Sequence, residues 1–445
     1  MSGSAKLTRG SVRGHLVGQT APGILGVAAI VSVGVVDAYF VGQLGTAELA
    51  AISFASPVLL AVTSLGIGIM AGLSSVVSRA LGEGADKKAH QRGNLGIALA
   101  LVCGLLLAGA LAALRLPLFR LMQAGEDVLP IIDDYMFPIA LGLPLLLLQM
   151  GVNGVLRGQG AAKRSSAVLV IFAIANWILD PILITGVGGF GGFGVAGAAY
   201  ASIAGWGLAS LGGLWLLRST QLPFDPRALK GSEPRKTVPP ILKVAVPAAF
   251  ANAINPIGLS VLTGFIAAQG SAAVAGFGAG GRLQAFMLVP LLAMSGAIGS
   301  IVGQNWGASE YGRARSAWMQ AAVFAVLYAL AIALVLFFAR DWFAGFFSED
   351  AAVVREFNRY LAISVWGYAG FGVLIITNGA FNAIDRANTS LAQSAARVFL
   401  VMVPVAWFTR GAMGADAIYY GELAANLAGG ALAAFLAWRL LKHRE

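Results

Sequence analysis

Apolar residues fall in twelve long runs, at 15–40, 51–78, 93–116, 130–156, 166–186, 194–217, 238–266, 273–303, 316–339, 357–383, 390–409 and 415–438. Short polar, charged or glycine-rich clusters separate them. Each run is near or above the ~20 residues that carry a helix across a bilayer, and well above the ~10 of a barrel strand. An open sheet would leave backbone groups unpaired in lipid, so helices are the remaining solution. The pattern predicts an all-α integral membrane protein with twelve transmembrane helices. The first run follows Lys6, Arg9 and Arg13 as the apolar part of a signal peptide would. It continues too long and lacks a clear cleavage site, so it reads as a true first span.

The runs repeat. At an offset of 225, Pro22 falls on Pro247, Gly45 on Gly270, Gly82 on Gly307, and Asn153–Gly154 on Asn378–Gly379. "VVSRALGEG" and "IVGQNWGAS" align at the same offset, each after an apolar run. Six spans return the chain to the side it started from, so the two copies share one orientation. The expected architecture is two parallel six-helix bundles. One lobe covers 1–217 and the other 238–445, with a basic, proline-bearing cytoplasmic connector at 218–237. Parallel repeats with a cavity between the halves are a transporter plan.

Composition narrows the function. The chain is 58% hydrophobic and 11% charged, against roughly a quarter charged in soluble domains. A soluble enzyme, a DNA-binding protein and a disordered regulator are poor readings. The net charge of +10 reflects basic loops rather than a nucleic-acid partner. With the N-terminus in the cytoplasm, 23 of the 30 Lys and Arg lie on the inner side and 6 on the outer. That split places both termini in the cytoplasm, across the plasma (inner) membrane. Arg282 alone lies deep in a span. Arg157 counts with the inner loops, and so does Arg397, two turns into its span. One cysteine, Cys103, excludes an internal disulfide. The spans hold too few His, Asp, Ser or Lys for a membrane-embedded enzyme.

Ionisable residues deep in a span mark function. The acids are Asp37, Asp180 and Glu422. Counting 1.5 Å per residue from Arg13 and Arg164 puts Asp37 and Asp180 both in the outer half of the first bundle. Asn176 is one turn before Asp180, on the same helix face. Pro181 lacks an N–H and frees the carbonyl of Trp177. A carboxylate away from water needs a positive partner, and such oxygens suit a proton or a hard cation. Ser202 adds a hydroxyl from the next span. The second bundle has Leu262 and Val405 at the matching places, so the ionic chemistry is asymmetric. It offers instead Asn252, Asn255 and Arg282, the last as a cation for an anionic group or a partner for a carboxylate. Glu422, four before Asn426, reads as an interfacial acid. Pro22 shares a helix with Asp37, and a bend there would move the carboxylate.

These residues resemble the multidrug and toxic compound extrusion (MATE) family, over nearly the whole chain. The marks are "VVDAYFVGQLG" in span one, "ANWILDPILI" in span five and the paired "NG" segments at Asn153 and Asn378. The likeness is to the branch of the DNA-damage-inducible protein F and the archaeal antiporters. It implies a coupling site at Asp37, Asp180, Asn176 and Ser202, the first three holding the metal ion if the ion is sodium. It implies that Tyr135 and Asn153 line the same lobe and that Pro22 is a hinge; with Asn255, Arg282 and Asn378 from the second bundle, these make the expected substrate cavity. Another branch carries a C-lobe carboxylate eight residues after the span-seven proline, where this chain has Asn255. The implied activity is export of amphipathic, often cationic, drugs in exchange for a proton or sodium by alternating access. No cofactor beyond the coupling ion is implied. The implied partners are small drug-like molecules and membrane lipids, with the chain acting as a monomer. The alternative is a flippase for a lipid-linked saccharide or other anionic lipid precursor, which would want several cavity cations.

Overall fold

A computed structural model describes residues 5–188, 191–231 and 233–442. Gly189 and Phe190 of the glycine-rich loop, His443 and the terminal Arg444 lie outside the described residues. Among those described, the ordered elements are all helical. They are α1 (Val12–Gly42), α2 (Thr46–Gly82), α3 (Asp86–Leu121), α4 (Leu129–Gly158), α5 (Ala162–Asp180) and α6 (Val195–Arg218), then α7 (Pro234–Ala267), α8 (Ser271–Met287), α9 (Val289–Gly307), α10 (Tyr311–Phe338), α11 (Arg340–Ala344), α12 (Ala351–Ser364), α13 (Tyr368–Ala383), α14 (Ala387–Ala395), α15 (Val403–Met413) and α16 (Asp416–Lys442). Eleven helices are long and apolar enough to cross a membrane, and the bent pair α8–α9 brings the count to twelve.

The offset of 225 reappears in the backbone. α2 maps onto α8–α9 end to end, and α1 and α7 share their C-terminal boundary. The left-handed turn residues match as well: Gly45 with Gly270, Gly84 with Ser309, and Gly160 with Asp385. The amide ties also match. Asn153 Oδ1 accepts from Ser165 Oγ at 2.7 Å, and Asn378 Oδ1 accepts from Ser390 Oγ at 2.7 Å. Each links the fourth span of its half to the fifth. One core lies in the first half around Leu73, Leu81, Leu143 and Leu147. A second gathers Leu262, Tyr360, Met402 and Tyr419, and a third gathers Leu291, Ile298, Ala321 and Phe381.

Three details depart from the span reading. The eighth span is not one helix. It bends by 44° between α8 and α9, where Pro290 removes the N–H that Phe286 O would receive. The tenth span is α12 and α13 joined by a 3-10 turn at Val365–Gly367. Both fifth spans widen into π turns, at Pro181–Thr185 and at Ala396–Met402. Pro22, the expected hinge, lies within an unbroken α1.

Among the described residues, the closest approaches between the two halves lie toward the face that carries the chain ends. α2 crosses α7 where Gly72 lets the backbones approach, since a Cβ there would stand 2.7 Å from Ile241 O. Gly82 abuts Gln304 O, and its repeat partner Gly307 abuts Arg79 O. Gln304 Nε2 donates to Gly158 O at 3.1 Å, and Ser75 Oγ donates to Asn382 O at 2.6 Å. The N-terminal segment joins the second half through Leu7 N–H, which donates to Gln304 Oε1 at 3.1 Å. Among the described residues, every hydrogen bond or ion pair between the halves lies on this side. On the far half, a Cβ at Gly34, Gly264, Gly278 or Gly281 would meet nothing within 4 Å. The halves are therefore sealed against each other at the terminus face.

An ionic latch completes the seal. Asp385 takes Lys243 Nζ at 2.6 Å from its own half and Arg79 at 3.8 Å across the junction. All three are partly exposed, so the latch is worth ~1 kcal/mol at most. Asp385→Asn is expected to shift the balance toward opening at the terminus face roughly fivefold or less. Labelling of a cysteine placed at Ser300, in a Cys103→Ser background, reads that shift. Labelling equal to the parent's would show that the latch carries no bias.

Candidate cation and substrate site

The acid pair sits in the far half of the first lobe. Asp37 comes from α1 and Asp180 is the last residue of α5, with Asn176 one turn before it. α1 and α5 run side by side because Gly26 nestles against Leu169 and Ser166 of α5. Asp180 and Asn176 are 0% exposed. The Asp37 and Asp180 carboxyls lie close enough to interact with each other. Tyr135 of α4, itself buried, lies close enough to interact with both charges. Asn176 Nδ2 donates to Phe172 O at 2.8 Å, which leaves its Oδ1 as the free end.

That arrangement is short of donors. Asp37 Oδ1, both Asp180 oxygens and Asn176 Oδ1 are buried and meet no donor among the described residues. Buried polar atoms normally have partners. Two carboxylates have no hydrogen to share, but one proton between them turns one into a donor. A small hard cation satisfies the same oxygens. The chain builds the cluster at a break: after Asp180, Pro181 begins the π turn, and Thr185 Oγ1 donates to Pro181 O at 2.8 Å. π turns recur at functional sites. α6 closes the wall, with Gly205 against Asn176 and the Phe172 ring. Ser202 is buried on the same α6 face, one turn (~4.5 Å) nearer the far side.

The remaining expected residues are dispersed. Asn153 and Asn378 lie inside their lobes in the helix ties already described, not beside the acid pair. Arg282 is exposed on α8, on the side opposite buried Gln284 and Leu283. Asn255 Oδ1 accepts from Arg397 Nη1 at 2.8 Å, which places it in a polar cluster the sequence did not suggest. The repeat partners of the acid pair are apolar, and Leu262 is fully buried.

That second-half cluster corrects two expectations. Glu422 is not interfacial: it is 1% exposed, and its Oε1 accepts from Gln284 Nε2 at 2.8 Å. Arg397 is not an inner-loop charge: it is 3% exposed, donates from Nε to Asn426 Oδ1 at 2.9 Å, and stacks over Phe371 at 4.3 Å. Tyr360 and Ser364 face Glu422. Tyr360 is the repeat partner of Tyr135, so each half sets a fourth-span tyrosine beside its buried acid. The only sequence signal was Glu422 and Asn426 on one helix face. Nothing along the chain showed that Gln284 and Arg397 would meet them.

One more cation was missed. Arg157, at the terminus end of α4, lines a pocket between the halves with Gln19, Ser165 and Ser166 of the first half and Gly296 and Ser300 of the second.

Comparison with known proteins agrees with the geometry. The MatE family profile matches residues 22–182 and again 247–408, so its two matches begin 225 apart. A Shewanella oneidensis protein named FAD transporter is 33% identical over 396 residues, covering 88% of this chain and 86% of that protein. The probable multidrug resistance protein YoeA of Bacillus subtilis is 26% identical, covering 82% of this chain and 79% of that protein. Multidrug export protein MepA of Staphylococcus haemolyticus is 23% identical, covering 94% and 92% respectively. Among solved structures, an outward-facing multidrug resistance MATE family transporter of the MOP superfamily superposes with a TM-score of 0.94 at 23% identity, over 100% of this chain and 99% of that one. A mutant of the Vibrio cholerae MATE transporter VcmN superposes with a TM-score of 0.91 at 26% identity, over 100% and 99%.

Proposed function

This chain belongs to the MatE family of membrane transporters, and from that premise and the buried acid pair we propose a cation-coupled exporter that works by alternating access. Both termini lie in the cytoplasm in this reading, so the seal is cytoplasmic and the present state is read as outward-open. The observation that carries the coupling is the donor-free oxygen cluster of Asp37, Asp180 and Asn176. An ion arriving through the outer opening fills it, and burying an unfilled pair away from water is costly. Filling therefore favours closure on the outside and opening on the inside, where the ion leaves. The coupling ion is a proton or sodium, and the exported compounds are amphipathic and drug-like.

A second reading of the substrate is favoured by the 33% identical relative named FAD transporter. A dinucleotide joins an aromatic ring system to a pyrophosphate, and would require cations along its path. The flippase alternative shares the pyrophosphate chemistry. Proteoliposomes given a proton gradient alone, then a sodium gradient alone, test the coupling with ethidium as probe. Export under one gradient is expected. Export under neither contradicts the coupling and favours the flippase.

A further inference from the structure

Arg157 is the one charged residue lining its pocket, and no acid lines it. Among the described residues, its guanidinium has no carboxylate within ion-pair distance and no hydrogen-bond acceptor. A Cβ on Gly296 would stand 2.7–2.8 Å from Nη1, Cζ and Nη2, so the second half presses directly on the guanidinium. Arg157 is half-buried, and a partly desolvated cation without a counter-charge favours an anion beside it. The cation-coupling site does not use it, since that site lies in the opposite half of the membrane. The lining supplies further donors in the Gln19 amide and the Ser166 hydroxyl, while Ser165 and Ser300 already donate to Asn153 Oδ1 and Ala297 O. The cavity measures about 20 Å3, room for about one water.

We propose that Arg157 is an anion-capture site for the exported compound, one that takes a phosphate or pyrophosphate group when the halves part on the cytoplasmic side. The proposal rests on the exporter reading and deepens it by naming a substrate class. When the cytoplasmic side opens, the wall of Ala293, Gly296, Ala297 and Ser300 withdraws. Arg157, Gln19 and Ser166 then remain on the first half as a donor-rich face. A guanidinium binds phosphate through paired N–H donors, which a point charge does not reproduce. When the halves reseal, Gly296 returns to the guanidinium and the remaining space holds no phosphate. Closure thus expels the anion toward the opening on the far side. The shared chemistry is a pyrophosphate, whether on a soluble dinucleotide or on a lipid-linked precursor.

Two measurements test this. In detergent, inorganic pyrophosphate is titrated against wild type and Arg157→Gln at constant ionic strength, and the melting midpoint is followed. Wild type should be stabilised, and the variant should need roughly 10- to 100-fold more pyrophosphate for the same shift. In inside-out vesicles, a flavin dinucleotide, farnesyl pyrophosphate and ethidium are compared. Arg157→Gln should lose transport of the anionic probe that wild type carries and keep ethidium transport within about twofold, with Arg157→Lys intermediate. Loss confined to the dinucleotide identifies a soluble substrate, and loss confined to the prenyl pyrophosphate a lipid one. Equal loss of anion and ethidium transport would make Arg157 a strut of the seal and overturn the proposal. So would absence of any pyrophosphate stabilisation of wild type. The detergent arm needs no transport, so failure of the exporter reading is seen separately, as ethidium left untransported by wild type under every gradient.

Discussion

Asp180→Asn and Asp37→Asn are each expected to reduce gradient-driven export to the background of an empty vector, while leaving expression and helix content at wild-type level. Asparagine keeps the size and one oxygen of aspartate but holds neither a titratable proton nor a negative charge. The fully buried Asp180 contributes two of the four donor-free oxygens, and asparagine keeps one of them and puts an amide donor in place of the other, which leaves the cluster without Asp180's negative charge. Asp37 contributes another, and without it Asp180 has no partner with which to share a proton. Substitutions at intramembrane ionisable residues are expected to act on function in this way. Drug-resistance assays in a pump-deficient host, at matched expression, check the result. Full resistance with both variants would show that coupling resides elsewhere. Glu422 is the control: with its own Gln284 and Arg397 network in the other half, Glu422→Gln leaves the Asp37–Asp180 cluster intact.

Gly68→Val is expected to stop transport by a different route. A Cβ at Gly68 would stand 2.7 Å from Ala249 Cβ and 2.9 Å from Ala249 N, and would collide with Ala245 O. These atoms belong to α7, so the collision is with backbone and does not relax by a side-chain rotation. Overpacking of this kind costs ~1–3 kcal/mol. Because the contact exists only while the terminus face is sealed, that cost falls on the sealed state alone. The population shifts toward the opposite opening by roughly 5- to 150-fold. Spin labels on the terminus-side ends of α2 and α7 read the shift as a longer distance. An unchanged distance would mean that α2 and α7 do not form the seal. The substitution spares the acid pair, so ion binding persists while export fails.

Much of this was legible in the chain because lipid makes strong demands. A span must be long and apolar, so the hydropathy pattern located the helices. A duplicated chain keeps its turn chemistry, so the offset that aligned Gly45 with Gly270 also aligned their left-handed backbones. Asp37, Asp180 and Asn176 were legible because a polar residue inside an apolar run is costly unless it has a task. What failed was pairing across helices. Arg397 and Glu422 looked peripheral because each lies near a span end in sequence. Gln284 and Asn426 then supplied partners that make burial tolerable. The break at Leu288 was hidden because hydropathy averages over α8 and α9 and Pro290 costs the average little. Arg157 counted as a loop charge because its seat is formed by α9, from the other half of the chain.

The central claim is that one small cation on the Asp37–Asp180 pair moves inward for export to proceed. Counterflow measures this directly. Proteoliposomes carrying a pH dye, with radioactive sodium in a parallel set, are followed while ethidium is exported. Wild type should show entry of one ion species in fixed proportion to ethidium exported, and Asp180→Asn should show neither flux. Ethidium export without ion entry in wild type, or proportionate ion entry persisting in Asp180→Asn, would contradict the account.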